Sequence, residues 1–264
     1  MDQIDGLFSR MDDWQHLPKY QLERRADLFF SLYLAEAIEV KVGFPINPQI
    51  VPEFPVKKCF VKPGDTSSQS INIDYLAVSQ SGDVAILVEL KTDEKSRNLA
   101  QDEALFAAHK VGLPTLVSGI VDIFKSSSCD KRKYFYLLEY LENLGLVRLP
   151  SDLKEIMSRA RLQGVTKASQ QITVTAKASE TRILYVQPTG SDPDVLSFED
   201  FRTVVLKHDD PVSLRFATSL AEWAHTKAGE MQLPGIHLVD KTDKFRNLVL
   251  RPDAILDDSD DLGI

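Results

Sequence analysis

Cysteine, histidine and glycine are all scarce in this chain of 264 residues. The two cysteines, Cys59 and Cys129, show no metal-ligand spacing and fit a reducing compartment. The five histidines are scattered, with no two at ligand spacing, which argues against a histidine-bound metal ion. The 12 glycines form neither a phosphate-binding loop nor a dinucleotide-binding loop, so the sequence predicts no nucleotide cofactor.

Long apolar runs and excess positive charge are also missing. No segment approaches the roughly 20 apolar residues that a membrane-spanning helix needs. The acidic start of the sequence lacks the apolar core of a secretory signal, so we expect a cytoplasmic protein with no membrane segment. The net charge of −8 argues against broad, non-specific coating of nucleic acid, although a local basic groove is compatible with it.

The composition is that of a globular protein, and the hydrophobic periodicity predicts an α/β (α+β) fold. Apolar residues at spacings of three and four predict a long helix over residues 19–41, and a second helix over residues 96–110. Further helices are predicted over residues 1–18, within 114–163, and over 197–207 and 211–228. Strands are predicted over residues 49–61, 71–78, 84–91, 171–176, 182–187, 236–239 and 247–250, the first of them at a sheet edge because it contains Pro52 and Pro55.

The most informative stretch is residues 71–91, which predict two strands joined by a tight turn around Gly82. Period-two alternation places Asp74 in the first strand and projects Glu89 and Lys91 from the same face at the end of the second. Charged side chains seldom finish an apolar strand without a partner or a ligand. Two carboxylates and a lysine on neighbouring strands are suited to holding a divalent metal ion and activating a water molecule.

This order of elements, with Asp74 followed by Glu89-Leu90-Lys91, resembles the PD-(D/E)XK nuclease superfamily. The superfamily core is a helix, a three-stranded meander, a second helix and a further strand. The resemblance covers residues 19–110 and 182–187, a little under half of the chain. One departure is Ile73, which stands where the motif's proline is often found.

The resemblance implies a restriction-endonuclease-like core, a mixed central sheet flanked by helices, with a helical insertion. We expect one nuclease-like domain over residues 1–256, with its core at about 19–112 and 167–256 and its insert at about 113–166. Residues 257–264 are expected to form an acidic disordered tail.

The resemblance also implies a set of catalytic residues. Asp74, Glu89 and the backbone carbonyl of Leu90 would bind Mg²⁺, with Mn²⁺ as a possible substitute. Lys91 would orient or deprotonate the attacking water, or stabilise negative charge in the transition state.

Two helical residues match further positions of the superfamily. Glu23 in the first helix would complete the metal site or orient a metal-bound water, and Gln101 in the second would position Lys91 or the water. Glu36 competes with Glu23, because it lies on the same predicted helix. The simpler explanation of Glu23 is an ion pair on the helix surface. The simpler explanation of Gln101 is a polar helix position with no catalytic role.

Basic residues outside this set allow two interpretations. Lys57, Lys58 and Lys62 are candidates for contacting nucleic acid, although a solvated face is the default. Residues 131–150 look like a helix running into a turn and a short strand, as in winged-helix modules that read DNA. Core packing by the same aromatic and leucine stripe is the commoner explanation.

The sequence therefore leads to two hypotheses from different classes. The first is a metal-dependent nuclease that hydrolyses phosphodiester bonds of nucleic acid, DNA rather than RNA, with a homodimer as its candidate assembly. The alternative is a catalytically silent protein that keeps the fold as a nucleic-acid or protein binding and regulatory module.

Overall fold

The computed structural model describes residues 3–17, 20–62, 64–65, 69–92, 99–127 and 130–225. The strands predicted over residues 236–239 and 247–250, and the acidic tail predicted over 257–264, lie outside the described residues. The helices are α1 Gln3–Trp14, α2 Glu23–Val42, α3 Lys58–Val61, α4 Leu99–Val111, α5 Leu113–Ser126, α6 Lys131–Asn143, α7 Ser151–Ser158, α8 Val165–Ser169, α9 Phe198–Val205 and α10 Pro211–His225. The strands are β1 Val51–Lys57, β2 Ser70–Val78, β3 Val84–Leu90, β4 Val147–Arg148, β5 Thr173–Val174, β6 Glu180–Gln187 and β7 Val195–Ser197.

Five strands form a mixed central sheet in the order β1-β2-β3-β6-β7. The pairs β1–β2 and β2–β3 are antiparallel, whereas β3–β6 and β6–β7 are parallel. Strand β1 lies at the edge, as its prolines predict, because Pro52 and Pro55 cannot donate backbone hydrogen bonds to a second neighbour. The prediction of a mixed sheet flanked by helices is confirmed.

The predicted hairpin is formed by β2 and β3. Their register pairs Leu76 with Leu87, and the turn contains Gly82 at a φ of 79°, a left-handed conformation that favours glycine. Strand β3 is central in the sheet and buried on both faces, which explains why its sequence is a continuous apolar run.

Each face of the sheet is covered by a separate apolar layer. Helices α4 to α7 pack on one face around side chains such as Leu105, Leu116 and Leu138. Helices α1, α2, α9 and α10 pack on the other face, where the rings of Phe30 and Phe216 have their centroids 5.3 Å apart. The helices of the predicted insert are therefore part of the main core on their side of the sheet.

The predicted N-terminal helix is present as α1. Trp14 and Leu17, the large apolar residues at and beyond its end, are 45% and 53% exposed. Phe8 and Met11 are buried instead, because they lie on the face of α1 that contacts α10. Helix α2 begins at Glu23, later than the predicted residue 19, and ends at Val42, where Gly43 with a φ of 78° caps it.

The strand predicted over residues 171–176 is only partly formed. It is reduced to β5, which pairs antiparallel with β4 and does not join the central sheet. The strand predicted over residues 182–187 is β6, which pairs with β3. Among the described residues no single helix is long and apolar enough to cross a membrane. Only α4 and α5 taken together, bent by 104°, pass that test by length and composition.

A close helix contact at Gly119 gives a test of this packing. A Cβ atom at this position of α5 would lie 2.5 Å from Cε2 of Phe60. We expect Gly119→Ala to lower the free energy of unfolding by about 1–3 kcal/mol, although alanine favours a helix over glycine by about 1 kcal/mol. Urea unfolding measures this loss.

The matched control for this test is the same substitution made in a Phe60→Ala background. There the contact with the Phe60 ring is removed and Cβ of Lys57, at 3.2 Å, is the nearest remaining atom, so Gly119→Ala should cost much less stability than in the parent. Stabilisation of the parent protein by Gly119→Ala would contradict the observed packing of α5 on α3.

Candidate active site

Asp74 and Glu89 face each other where the β2–β3 ladder ends. The last pair of the ladder is Tyr75 with Val88, and the same register continued by one residue sets Asp74 opposite Glu89. At this point a side chain replaces a backbone acceptor, since Oδ2 of Asp74 accepts a hydrogen bond of 2.7 Å from the amide of Leu90. The local strand geometry thus brings together the two carboxylates that the sequence predicts.

Lys91, the residue directly after β3, forms a buried ion pair with Glu89 near the end of that strand. Nζ of Lys91 lies 2.6 Å from Oε1 of Glu89, and the two residues are only 3% and 6% exposed. Nζ also lies 3.4 Å from Oε1 of Gln101 in α4, and the positioning role of Gln101 stays a prediction. The Lys91 amide donates to the carbonyl of Val186 over 2.7 Å, which fixes this end of β3 against β6.

The charges in this site strongly perturb one another. Burial and the charge of Glu89 raise the pKa of Asp74 to about 7, although the Leu90 hydrogen bond and Lys91 oppose the rise. Burial also raises the pKa of Glu89, despite its ion pair with Lys91. Burial lowers the pKa of Lys91, but its hydrogen bond to Glu89 and the surrounding carboxylates outweigh this and raise it overall. The lysine therefore stays protonated within a crowded group of acids.

Helix α2 supplies the third acid, and it is Glu23 rather than Glu36. Glu23 lies in the first turn of α2 and lines the same cleft as Asp74. Burial raises the pKa of Glu23, and so does the charge of Asp74, whereas Lys91 lowers it. Glu36 instead pairs with Lys207 at 3.2 Å and His208 at 2.9 Å.

Glu53 of β1 is an exposed residue that lines the cleft beside Asp74. Its φ of 48° is unusual for a residue other than glycine and marks a local strain in β1. Its Oε2 accepts a hydrogen bond of 2.9 Å from Asn72, and its negative charge raises the pKa of Asp74. Its position between prolines, Pro52 and Pro55 with Phe54, was the available signal of an irregular backbone.

Asp102 and Tyr185 were missed by sequence reasoning. The hydroxyl of Tyr185 donates to Oδ1 of Asp102 over 2.9 Å, and Tyr185 pairs with Glu89 across the β3–β6 ladder. The charge of Asp102 contributes to the raised pKa of Glu89. Asp102 directly follows Gln101, but its partner comes from a strand more than 80 residues later, and the sequence carried no signal for that register.

The three lysines proposed for nucleic-acid contact lie at the end of β1 and just beyond it. Lys57 pairs with Asp122 at 3.1 Å, and Lys58 lies 3.6 Å from Asp65. Lys62 is exposed. Two of these lysines thus have intramolecular partners, and their contact with nucleic acid stays a prediction.

The acids open into a cleft that is chemically suited to a hard cation. No three His, Cys, Asp or Glu side chains among the described residues are already arranged around a metal position. Mg²⁺, however, typically uses one or two protein carboxylates and retains several waters. The carboxylates of Asp74 and Glu89 and the Leu90 carbonyl would offer an oxygen-only donor set of this kind. The cleft is lined by Glu23, Arg24, Asp27, Pro52, Glu53, Asp74, Tyr75 and Leu90.

Comparison of the chain with protein-family models, with curated proteins and with solved structures finds no match. The geometry of the cleft is therefore the basis on which a function is proposed.

The crowding of acids predicts a pH-dependent cost to stability. Because the pKa of Asp74 is about 7 in the folded protein and ordinarily 3.8, the folded state binds more protons between these values. Stability without metal should then fall as pH rises through this range. Asp74→Asn removes the charge. The free energy of unfolding of this variant, relative to that of the parent, should therefore increase by roughly 2–4 kcal/mol between about pH 5 and about pH 8.

Urea unfolding in EDTA at both pH values measures this gain. Asp209→Asn, made at an exposed position, serves as the matched control for loss of one acidic side chain. An Asp74→Asn difference that is the same at both pH values would show that the carboxyl group is not destabilised by its surroundings.

Proposed function

We propose that this protein is a divalent-metal-dependent nuclease that hydrolyses phosphodiester bonds of nucleic acid, with DNA as the favoured substrate. The observation that carries the proposal is the buried Glu89–Lys91 ion pair, joined at 2.6 Å, beside the cleft that Glu23, Asp74 and Leu90 line. A lysine and acids with perturbed pKa values grouped at a cleft are typical of a catalytic centre.

The order of elements supports the same proposal. Helix α2, strands β1 to β3, helix α4 and strand β6 occur in this order along the chain, the order expected of a restriction-endonuclease-like core, which supports the proposal. In that arrangement Asp74 lies within the second strand, and Glu89 and Lys91 end the third. We therefore propose a restriction-endonuclease-like core with the helices α5 to α8 as its insertion.

Lys91 is placed to act on the attacking water or on the phosphate. An ammonium group has three N–H donors, and contacts to Glu89 and Gln101 account for two of them. The third can be donated to a phosphate oxygen or to the water. Because the surrounding acids keep the pKa of Lys91 above its ordinary value, charge stabilisation suits it better than proton abstraction.

The acids divide into two groups by the secondary-structure element that carries them. Asp74 and Glu89, with the Leu90 carbonyl, would hold the metal ion, and Glu23 faces them from α2 across the cleft. When bound, the ion would supply Lewis-acid stabilisation and a water of lowered pKa. In the hydrolysis itself, water oxygen attacks phosphorus in line, the P–O bond to the leaving nucleotide breaks, and the released oxygen takes up a proton.

One observation favours the alternative, a catalytically silent binding module. Lys91 contacts Glu89 itself, so a predicted metal ligand already has a positively charged partner. In that case the ion pair would only compensate two buried charges, and the cleft would bind a ligand without cleaving it.

Cleavage of a panel of DNA and RNA substrates with Mg²⁺ or Mn²⁺ separates the two functions. We expect metal-dependent cleavage by the parent and a loss of about a hundredfold or more in rate for Lys91→Ala, because one source of transition-state charge stabilisation is removed. Lys41→Ala, at a lysine that donates to the Asp192 carbonyl, is the matched control and should cleave like the parent.

A second pair of variants tests the assignment within α2. Glu23→Gln should slow cleavage, whereas Glu36→Gln should not, since Glu36 is engaged with Lys207 and His208. Circular dichroism checks that each variant is folded. This matters most for Lys91→Ala, because loss of the lysine leaves a buried acid unpaired. A folded parent that cleaves nothing with either metal ion would support the binding module instead.

A further inference from the structure

Residues 146–177 form a helix-turn-helix segment closed by a strand pair. Strand β4 leads into α7, a turn at residues 159–164 leads into α8, and β5 returns to pair with β4. Val147 pairs with Val174 and Arg148 with Thr173. Together with α6, this is the order of a winged-helix module, one of the two interpretations that the sequence left open.

The inner side of this segment packs into the main core. Leu153, Ile156 and Met157 of α7 are buried there, as are Ala168 of α8 and Ile172. The core-packing interpretation is therefore correct for the apolar side chains. It also means that the polar side of the segment is held in a fixed orientation.

The outer side is basic in an otherwise acidic protein. Residues 146–177 contain six Lys and Arg against two Asp and Glu, a net charge of +4 in a chain of −8. Arg148, Arg161, Lys167 and Lys177 are exposed, and no ion-pair partner of theirs is found within the described part of the chain. An ordinary solvated face would mix both signs of charge, so this surface is suited to a polyanion.

Several other exposed side chains of the segment are polar and uncharged. Gln163, Thr166, Gln170, Gln171 and Thr173 are all exposed between the cations. Amide and hydroxyl groups hydrogen-bond phosphates and base edges in duplex DNA. Residues 146–177 contain no Phe, Tyr or Trp, so they lack the aromatic rings on which single-stranded bases stack.

The segment is connected to the catalytic cleft through α6. Tyr140 of α6 lines a second cleft together with Asp27, Pro52 and Tyr75. Those last three residues also line the cleft of the acids, so the two clefts adjoin. Arg148 and Lys177 line a separate cleft at the β2–β3 turn, so α6 is the element that joins the basic surface to the side of the molecule with the proposed active site.

We propose that residues 146–177 are a binding surface for double-stranded DNA, which makes duplex DNA the substrate class of the nuclease. The major groove of B-form DNA admits an α-helix, whereas that of A-form RNA is too narrow for side-chain reading. The assignment of a substrate rests on the proposed function, but binding of the duplex does not require cleavage.

The test measures binding in EDTA, so that cleavage does not enter. Fluorescence anisotropy is recorded with a labelled DNA duplex of about two helical turns, a single strand of the same length and the matching RNA duplex. We expect the parent to prefer the DNA duplex. The double variant Arg161→Ala/Lys167→Ala should raise the Kd for the DNA duplex roughly tenfold or more. The slope of its log K against log salt concentration should be smaller by about two, because two fewer counterions are released.

The matched control is Lys41→Ala/Lys207→Ala, which removes two positive charges at the end of α2 and just after α9. It should bind DNA as the parent does. The proposal is overturned if the parent does not bind the DNA duplex, if it prefers the single strand or RNA, or if both double variants bind equally. A parent that binds through this surface yet cleaves nothing contradicts the proposed function and leaves the DNA-binding surface supported.

Discussion

The ion pair between Lys91 and Glu89 is the interaction on which the rest of this site depends. Removing two charges from water costs several kcal/mol for each ion, and a packed apolar pair would serve stability equally well or better. Here the pair ends an apolar strand in the middle of a sheet, with Asp74 across the ladder and Glu23 across the cleft. Such a concentration of buried charge is costly for folding, and a metal ion and a phosphate would neutralise it.

The sheet explains why these charges converge. Strand β3 is buried on both faces, so it can display charged groups only where its ladder with β2 ends. At that end Asp74 binds the Leu90 amide and the backbone of Lys91 is held by β6. The site is therefore built on strands that two apolar layers hold in place, which favours precise positioning of the side chains.

Local patterns predicted the central part of this arrangement. Alternation and a glycine turn were enough to set Asp74 against Glu89, since a tight hairpin fixes the register. Prolines predicted the edge position of β1 for an equally local reason. The contact of Gln101 with Lys91 is also local, because α4 begins soon after β3 ends.

Long-range strand pairing and backbone strain could not be predicted from the sequence. The contact of Asp102 with Tyr185 depends on a parallel strand far along the chain, and the φ of Glu53 depends on how β1 bends. Sequence periodicity alone also could not decide between core packing and a DNA-reading module for residues 131–150. The structure shows an apolar side in the core and, over residues 146–177, a basic side outside it, so the two interpretations are compatible.

Binding of Mn²⁺ to the metal-free protein, followed by the electron paramagnetic resonance signal of the free ion, tests the central claim most directly. If Asp74 and Glu89 are metal ligands, the parent will bind Mn²⁺, and Asp74→Asn and Glu89→Gln will each abolish or greatly weaken that binding. Glu36→Gln will bind the ion as the parent does. Equal binding by the parent and Asp74→Asn, or no binding by any of these proteins, would contradict the assignment of this cleft as a metal-dependent active site.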